Sequence, residues 1–439
     1  MIPDKKIFCN TPWFETHIYW NGDFGICCQE SKKLYDVGNK ENYFNIKHMS
    51  ILEWFNSDPV KNLRLRMWQD KKIDICSQCT YQEQYSNTSR RHKSNQKSVI
   101  FTKTAFSDSF QQSPHRDIFV NSIKTNGITS TQPMDLHVDL GNYCNLACKM
   151  CHAKASSKIA SQMVKWGDND AKQHVGQDWT KDESVWQKFI KQVKNLPLVG
   201  IHFMGGETLL TKRFHDFVDA MIEASHTNYR ISFVTNGTQF DENIISKLKK
   251  FKQVGIEVSI ESCTDANTYI RQGTVTQQVL DNINHYVKLC DKDNIDVTVR
   301  PAPSALSISS YYTLLDFCLS NGLNVKSNLV TRPEFLQIKV LPKQIRQTYK
   351  KHYLNLINKY KLDNNYTTDY NESNKNNYKR VISAEIEYMV SLLDSEDHIH
   401  ADKLAKMLVA HCKKWDQVYR YNSLSIYPEL ETWLQSHGY

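Results

Sequence analysis

Residues 141–151, with the sequence GNYCNLACKMC, contain three cysteines in the spacing C-x-x-x-C-x-x-C. They are Cys144, Cys148 and Cys151. Three thiolates can hold three irons of a cubane [4Fe–4S] cluster and leave the fourth iron open to bind and reduce a second molecule. A partial zinc site is the alternative for this spacing, with His152 as the only neighbouring fourth ligand, although adjacent residues rarely ligate one ion well.

The composition is that of an ordinary globular protein. The chain has 439 residues, of which 40% are hydrophobic and 23% are charged, and this length suits two or three domains. No apolar run approaches the roughly 20 residues that a transmembrane helix needs, and the N-terminus lacks a signal-peptide pattern. We therefore expect a cytoplasmic protein with no membrane partner, whose 12 cysteines are reduced and serve as metal ligands where they cluster.

The segment after residue 134 predicts an α/β fold. Alternating apolar residues and short apolar runs predict six strands, and helical patterns separate them. The predicted strands cover residues 136–140, 199–204, 231–234, 256–260, 295–299 and 323–329. Strands that alternate with helices pair in parallel through right-handed crossovers. We therefore predict an open (β/α)6 partial barrel, with its chemistry at the carboxyl ends of the strands.

Further polar and glycine motifs follow the second, third and fourth predicted strands. They are Gly205-Gly206-Glu207, Thr235-Asn236-Gly237-Thr238, Ser259 with Glu261, and Arg271. Glycines let a backbone approach a ligand closely, and strand alternation points Ser259 and Glu261 to the same face. The planar guanidinium of Arg271 suits bidentate pairing with a carboxylate. Each motif alone could be structural, but their order at successive strand ends favours one shared site.

Taken together, these motifs resemble the signature of the radical S-adenosylmethionine (radical SAM) superfamily. The resemblance implies that the cysteine triplet holds a [4Fe–4S] cluster to which S-adenosylmethionine (SAM) binds. The residues that it assigns to SAM are Met150, Gly205, Gly206, Glu207, Thr235, Asn236, Ser259, Glu261 and Arg271. Two positions depart from the family pattern, because Met150 stands where many members have an aromatic residue and Thr208 where proline is common.

The N-terminal region has its own cysteines and resembles the twitch domain, a shortened SPASM domain that holds one auxiliary [4Fe–4S] cluster. The resemblance implies four ligands, Cys9, Cys27, Cys76 and Cys79. Cys28 competes with Cys27 for the second position, and the spacing from the preceding turn favours Cys27. A structural zinc on the same four cysteines is the alternative. Here the twitch-like region precedes the barrel, an arrangement that resembles phage-encoded members of the family.

Four segments are predicted from this organisation. Residues 1–92 form the twitch-like domain, residues 93–133 a polar linker, residues 134–330 the radical SAM core, and residues 331–439 a helical C-terminal extension. No chemical motif was found in the extension, and we expect its helices to pack on the barrel.

The resemblance implies an enzyme that reductively cleaves SAM to a 5′-deoxyadenosyl radical and abstracts hydrogen from a substrate C–H bond. The expected outcome is an oxidation or another modification of a peptide or small molecule, with an electron donor such as flavodoxin or ferredoxin. The alternative is a non-catalytic iron–sulfur or zinc module that binds nucleic acid, which the net charge of +8 suggests. The complete set of SAM motifs argues against it, so we expect no nucleic-acid partner. The residues that act on the substrate stay unassigned; Arg300, at the end of the fifth strand, is expected to face the barrel mouth.

Overall fold

The computed structural model describes residues 7–28, 30, 34, 44–84, 89–95, 116–290, 294–362 and 377–439. The chain forms two compact units. The first unit spans residues 1–144, 153–233 and 242–254, and the second spans residues 145–152, 234–241 and 255–439. Each unit is described by itself below. The domain boundaries at residues 92, 133 and 330 stay predictions.

The strands are β1 (Glu15–Ile18), β2 (Phe24–Gly25), β3 (Asp135–Asp139), β4 (Ala147–Cys148), β5 (Gly200–Met204), β6 (Arg230–Thr235), β7 (Gln253–Val258), β8 (Arg271–Gln272), β9 (Ile295–Val299) and β10 (Asn324–Val325). The helices up to residue 223 are α1 (Thr11–Phe14), α2 (Ile51–Phe55), α3 (Asp58–Trp68), α4 (Ser77–Gln82), α5 (Arg116–Lys124), α6 (Ser157–Lys165), α7 (Glu183–Val193) and α8 (Lys212–Glu223). The later helices are α9 (Glu242–Leu248), α10 (Asp265–Ile270), α11 (Thr276–Cys290), α12 (Tyr311–Asn321), α13 (Lys343–Tyr360), α14 (Asn377–Asp394), α15 (Ala401–Tyr419), α16 (Ser423–Ile426) and α17 (Glu431–Ser436).

In the first unit, five strands lie side by side in the order β6-β5-β3-β1-β2. β1, β3, β5 and β6 are parallel, and β2 is antiparallel to β1. β1 and β2 come from the N-terminal cysteine region and were not predicted from the sequence. Because β1 pairs with β3 along Glu15 to Ile18, the N-terminal region and the first barrel strand share one sheet.

Apolar side chains on one face of this sheet pack against helices. Phe203 on β5 contacts Phe214 and Phe217 on α8, with ring centroids 5.3 and 4.8 Å apart. Phe217 in turn lies 6.2 Å from Phe189 on α7. Since successive residues of a strand point to opposite faces, His202 and its neighbours in register lie on the face away from these helices.

The N-terminal region is joined to later residues by a buried arginine. Arg64 on α3 is fully buried and donates hydrogen bonds to the carbonyl oxygens of Pro12, Phe55 and Gly127. α5, which lies inside the segment predicted as a linker, contributes the buried Phe119 to the same core. Residues 96–115 of that segment lie outside the described residues.

In the second unit, three strands lie in the order β10-β9-β7, and β9 and β10 are parallel. The short strands β4 and β8 form a separate antiparallel pair. The long helices α13, α14 and α15 lie in the C-terminal extension, which the sequence predicted to be helical. The polar tract between the first two of these falls largely outside the described residues.

The α/β fold class predicted from the sequence is confirmed, with all six expected strands followed by a helical C-terminal region. The strands end where the periodicity placed them to within a few residues, apart from the sixth, which is shortened to β10. Within the described part of the chain, no helix combines the length and the apolar character needed to cross a membrane.

Candidate functional site

In the first unit, the loop that carries Cys144 lies against the Gly-Gly-Glu turn after β5. The backbone N–H of Glu207 donates to the carbonyl oxygen of Tyr143 at 2.7 Å. A β-carbon added to Gly206 would stand 1.8 Å from that same oxygen, and one added to Gly205 would stand 2.4 Å from the carbonyl oxygen of Gly141. Both glycines are therefore required by the close approach of two backbones, and Gly205 also has a φ of +103°.

Glu207 is buried, and its carboxylate is partly committed to its own turn. Its Oε1 accepts from the backbone N–H of Leu209 at 3.2 Å, which caps the 3₁₀ turn over residues 208–210. Its carbonyl oxygen accepts from the Thr211 hydroxyl at 2.9 Å. The turn is thereby held rigid at the carboxyl end of β5, where the sequence placed it.

Cys144 is half-buried, and its loop is anchored toward α6. The backbone N–H of Cys144 lies 3.3 Å from the Ser157 hydroxyl. The buried Asn142 donates through its side-chain nitrogen to the carbonyl oxygens of Ala153 and His174. The start of the cysteine loop is therefore fixed by hydrogen bonds on both sides.

In the second unit, Cys148 lies directly opposite Arg271. β4 and β8 pair in antiparallel register, with Cys148 facing Arg271 and Ala147 facing Gln272. The backbone N–H of Cys151 donates to the carbonyl oxygen of Cys148 at 2.9 Å. The pairing brings two predicted site residues together that are more than a hundred positions apart in the sequence.

Arg271 forms an ion pair with Glu261, at 2.8 Å from Nη1 to Oε1. Glu261 is fully buried, and its second carboxylate oxygen accepts from the backbone N–H of Ala302. Burial raises the pKa of the Glu261 carboxyl, and the Arg271 charge works against that rise. Ser259 is only half-buried, and its backbone N–H donates to the carbonyl oxygen of Thr235 at 2.8 Å. The pairing of Arg271 with the SAM carboxylate stays a prediction.

A polar network connects the cysteine loop to the turn after β6. The side-chain nitrogen of Asn236 donates to Oδ1 of Asn145 at 2.7 Å, and the side-chain nitrogen of Asn145 donates to the Thr238 hydroxyl at 3.1 Å. The Thr238 hydroxyl donates to Oδ1 of Asn236 at 2.7 Å, so the three side chains form a closed ring of hydrogen bonds. Asn145 was not among the predicted site residues. Asn145 directly follows Cys144, and this position could have marked it as a site residue, whereas the hydrophobic periodicity could not.

The C-terminal helices also contact the cysteine loop. Nζ of Lys149 lies 3.5 Å from the ring centroid of Tyr269, 4.9 Å from that of Trp415 and 5.5 Å from that of Tyr421. It also donates to the carbonyl oxygen of Tyr269 at 2.6 Å. Burial lowers the pKa of Lys149 to about 8. A cation surrounded by aromatic rings next to Cys148 is a role of the extension that the sequence did not reveal.

In the first unit, a cavity brings together the cysteines of the N-terminal region. The predicted ligands Cys9, Cys27, Cys76 and Cys79 all line it, and Cys28 does not. Glu30, Arg90 and Arg91 are among the other lining residues. The structure therefore supports the preference for Cys27, although its role as a ligand is still a prediction.

Burial raises the pKa of three of the four thiols in this cavity. Burial raises the pKa of Cys9 to about 11 and that of Cys76 to about 12, and it also raises the pKa of Cys79. A ligand that takes thiolates must therefore displace these protons, as iron and zinc do. Four sulfur donors, of which Cys9 and Cys79 are buried and the other two half-buried, with two arginines beside them fit an anionic iron–sulfur cluster. Across the described ranges, no three His, Cys, Asp or Glu side chains already converge to hold one metal ion.

Two family models match the chain. Residues 138–299 match the Radical SAM superfamily, and residues 9–80 match SPASM, an iron–sulfur cluster-binding domain. Residues 138–299 are therefore similar to a radical SAM domain. The SPASM domain precedes it, in the order predicted from the sequence. The radical SAM match includes the cysteine triplet and every residue that was assigned to SAM, and this domain implies a [4Fe–4S] cluster with SAM.

Solved structures that match this chain do so at low identity. Streptococcus suis SuiB bound to S-adenosylmethionine is 13% identical over 69% of this chain and 62% of its own, with a TM-score of 0.36. The anSMEcpe protein with bound AdoMet is 17% identical over 52% of this chain and 60% of its own, with a TM-score of 0.38. The chain thus spans about 62% of the length of SuiB. A search of curated proteins gives no match.

Sequence reasoning missed a polar surface on the sheet of the first unit, made by residues that alternate with the apolar ones. It also left Arg300 without a partner. In the second unit the Arg300 guanidinium forms an ion pair with Glu257 on β7, and Nζ of Lys326 lies 2.6 Å from the other oxygen of the same carboxylate. Both features depend on which face of its strand each residue points to. This alternation identifies contacts only when the neighbouring strands and their register are known.

Proposed function

We propose that this protein is a radical SAM enzyme that removes hydrogen from a C–H bond of a peptide or small-molecule substrate. The observation that carries the proposal is the radical SAM match over residues 138–299, which includes the cysteine triplet and all the residues assigned to SAM. When bound, the cluster and SAM supply a 5′-deoxyadenosyl radical by reductive cleavage of the sulfonium.

In this proposal, Cys144, Cys148 and Cys151 are the ligands of the cluster that binds SAM. Gly205 and Gly206 would present backbone carbonyls to the amino group of SAM, and their lack of side chains lets this turn lie directly against the cysteine loop. The carboxylate of Glu207 keeps this turn rigid through its bond to the Leu209 N–H and also faces the amino group.

The resemblance assigns six further residues to SAM. Met150 would supply an apolar contact for the adenine, and Thr235 and Asn236 would hold the turn beside it. Ser259 and the Glu261–Arg271 ion pair would hold the ribose and carboxylate of SAM. The ion pair orients the guanidinium, since Glu261 is itself fixed by Ala302.

We further propose that Cys9, Cys27, Cys76 and Cys79 hold an auxiliary [4Fe–4S] cluster. The SPASM match over residues 9–80 and the shared cavity of the four cysteines support this assignment. Four cysteine ligands leave no open iron, so the auxiliary cluster would accept an electron rather than bind the substrate. The reaction would then be a net oxidation, with a flavodoxin or ferredoxin as the electron donor for SAM cleavage.

The first test is the formation of 5′-deoxyadenosine. Anaerobically reconstituted protein with dithionite and SAM should release it, and the triple variant C144A/C148A/C151A should not. C263A and C318A are controls, since Cys263 and Cys318 lie outside both cysteine groups. If native protein with a full complement of iron releases no 5′-deoxyadenosine, the proposed activity is wrong.

Metal counts test the two clusters separately. Anaerobically purified protein should hold about eight irons and no zinc, since each cubane contributes four. About four irons with one zinc would instead assign the N-terminal cysteines to a structural zinc site. If the protein binds nucleic acid and the triple variant binds it equally well, the non-catalytic nucleic-acid-binding alternative is favoured.

A further inference from the structure

Three histidines lie side by side across the sheet of the first unit. His17 on β1 is the register partner of His137 on β3, which is in turn the partner of His202 on β5. Ser232 on β6 continues the row. The ring centroid of His137 lies 5.9 Å from that of His17 and 5.0 Å from that of His202. We call these four residues the histidine row. It occupies the face of the sheet opposite the helices α7 and α8.

Two of the three histidines are buried, and His137 between them is half-buried. His17 and His202 are 3% and 6% exposed. Nδ1 of His202 lies 2.8 Å from the Ser232 hydroxyl, and Nε2 of His17 lies 3.2 Å from Oδ1 of Asp139. Nδ1 of His17 is buried and has no hydrogen-bond partner within the described ranges. Imidazole is the side chain whose unperturbed charge change lies closest to neutral pH, so a row of imidazoles is a suitable place for proton uptake.

One arginine contacts the row from the N-terminal region. Nη2 of Arg90 lies 3.4 Å from Nε2 of His137, and the same nitrogen forms an ion pair with the carboxylate of Glu15. A guanidinium can only donate hydrogen bonds, so Nε2 of His137 is the acceptor. His137 is therefore neutral in this arrangement, and the length of the contact makes it easy to break.

The same arginine lines the cavity of the four N-terminal cysteines. The thiols that interact electrostatically with the Arg90 charge are those of Cys28, Cys27 and Cys9, of which the last two line the cavity. A second connection runs from Sγ of Cys9 to the Thr11 hydroxyl at 3.2 Å, and from there to the Ser94 hydroxyl at 2.8 Å. The Ser94 hydroxyl then donates to Glu15 at 2.9 Å. Both connections therefore meet at the Arg90–Glu15 ion pair.

We propose that the histidine row takes up the proton that accompanies each electron delivered to the auxiliary cluster, with Arg90 as the coupling residue. This inference rests on the auxiliary cluster of the proposed function. The balance is one electron added to the cluster and one proton added to an imidazole nitrogen of the row. In a substrate oxidation both would come from the substrate after its hydrogen atom has been removed.

The coupling follows from charge. An electron added to the cavity strengthens the attraction of the cysteine cluster for Arg90, which weakens its contact with Nε2 of His137 and leaves that nitrogen able to bind a proton. The charged and titratable groups that contact His137 are Arg90, His17 and His202. Three carboxylates lie in the same region of the sheet: Glu15 pairs with Arg90, Asp139 pairs with His17, and Asp135 is two residues before His137 on β3. Negative charge near the row favours its protonated form and Arg90 opposes it, so the position of Arg90 decides the balance.

The test measures the midpoint potential of the auxiliary cluster as a function of pH. The triple variant C144A/C148A/C151A removes the other cluster, so an anaerobic titration with dithionite, followed by electron paramagnetic resonance, reports on the auxiliary cluster alone. Between pH 6 and 8.5 we expect the reduction equilibrium to change up to tenfold per pH unit, which is about 59 mV for one electron. Adding H137Q or H202Q should flatten this slope. Adding H48Q should not, because His48 is an exposed histidine of the same unit.

Each outcome separates this inference from the function on which it rests. A potential that does not change with pH overturns the inference, and so does a slope that survives both H137Q and H202Q. Using both variants covers a failure of either to fold, which circular dichroism and iron content detect. If the triple variant binds no iron at all, the auxiliary cluster itself is wrong and the inference falls with it. The iron count therefore identifies which of the two has failed.

Discussion

Replacing Gly205 by alanine tests whether the Gly-Gly-Glu turn is shaped by the cysteine loop. The new β-carbon would stand 2.4 Å from the carbonyl oxygen of Gly141, so one of the two backbones must move by about 0.6 Å to reach 3.0 Å. Such overpacking costs about 1–3 kcal/mol. The positive φ of Gly205 adds about 1–2 kcal/mol for any residue with a side chain.

Gly167 provides a matched control, because its φ is +89° and a β-carbon there would meet nothing within 4 Å. G167A should therefore lower the free energy of unfolding only by the cost of a positive φ, about 1–2 kcal/mol. G205A should lose about 1–3 kcal/mol more in the free energy of unfolding, measured by urea denaturation of the apo protein. It should also retain less iron at the cysteine triplet after reconstitution. Equal losses of stability and iron in the two variants would refute the backbone contact as the reason for Gly205.

Three further predictions concern single side chains. C27A should lose the iron of the auxiliary cluster and C28A should keep it, because only Cys27 lines the cavity; the reverse result in iron analysis would exchange their roles. K149M should make the midpoint potential of the SAM-binding cluster more negative in a dithionite titration, because it removes a cation beside Cys148. It should leave the free energy of unfolding within about 1 kcal/mol, since the lost cation–π contacts are offset by the removed burial of charge; a large loss of stability with an unchanged potential would contradict this. Burial, together with the Lys149 charge, holds the pKa of His411 well below its usual value. The unfolded chain therefore binds a proton that the folded chain does not, and the free energy of unfolding should fall below about pH 6.5 by up to about 1.4 kcal/mol per pH unit. H411Q should reduce that loss between pH 7 and 5.5 in urea titrations; an identical loss in native protein and variant would exclude His411 as its source.

Several parts of the fold followed from patterns that are local in the sequence. Alternating apolar residues such as Leu136 and Val138 mark a strand whatever the rest of the chain does, because a half-buried strand has a period of two. The helices of the C-terminal region follow in the same way from a period of 3.6. β1 and β2 were missed because they are short, and fully buried strands such as Glu15–Ile18 carry no alternation.

In the candidate site, too, the features that are local in the sequence were predicted and the contacts between distant residues were not. The spacing of Cys144, Cys148 and Cys151 and the glycines at 205 and 206 were sufficient to predict a radical SAM domain. The pairing of Arg271 with Glu261 was not predicted, because a side chain assigned to a ligand can equally pair with a neighbouring strand end. A local motif identifies which residues can do the chemistry, but not what else they contact.

The sequence alone thus determined the fold class, the order of the two iron–sulfur domains and the residues of the cysteine triplet, since each depends on neighbours in the chain. Only the tertiary structure decided that Cys27 rather than Cys28 lines the cavity, and that Arg90 touches both this cavity and His137. It also decided that Trp415 and Tyr269 enclose Lys149. These contacts depend on the register of strands and the packing of helices, which join residues that are distant in the chain.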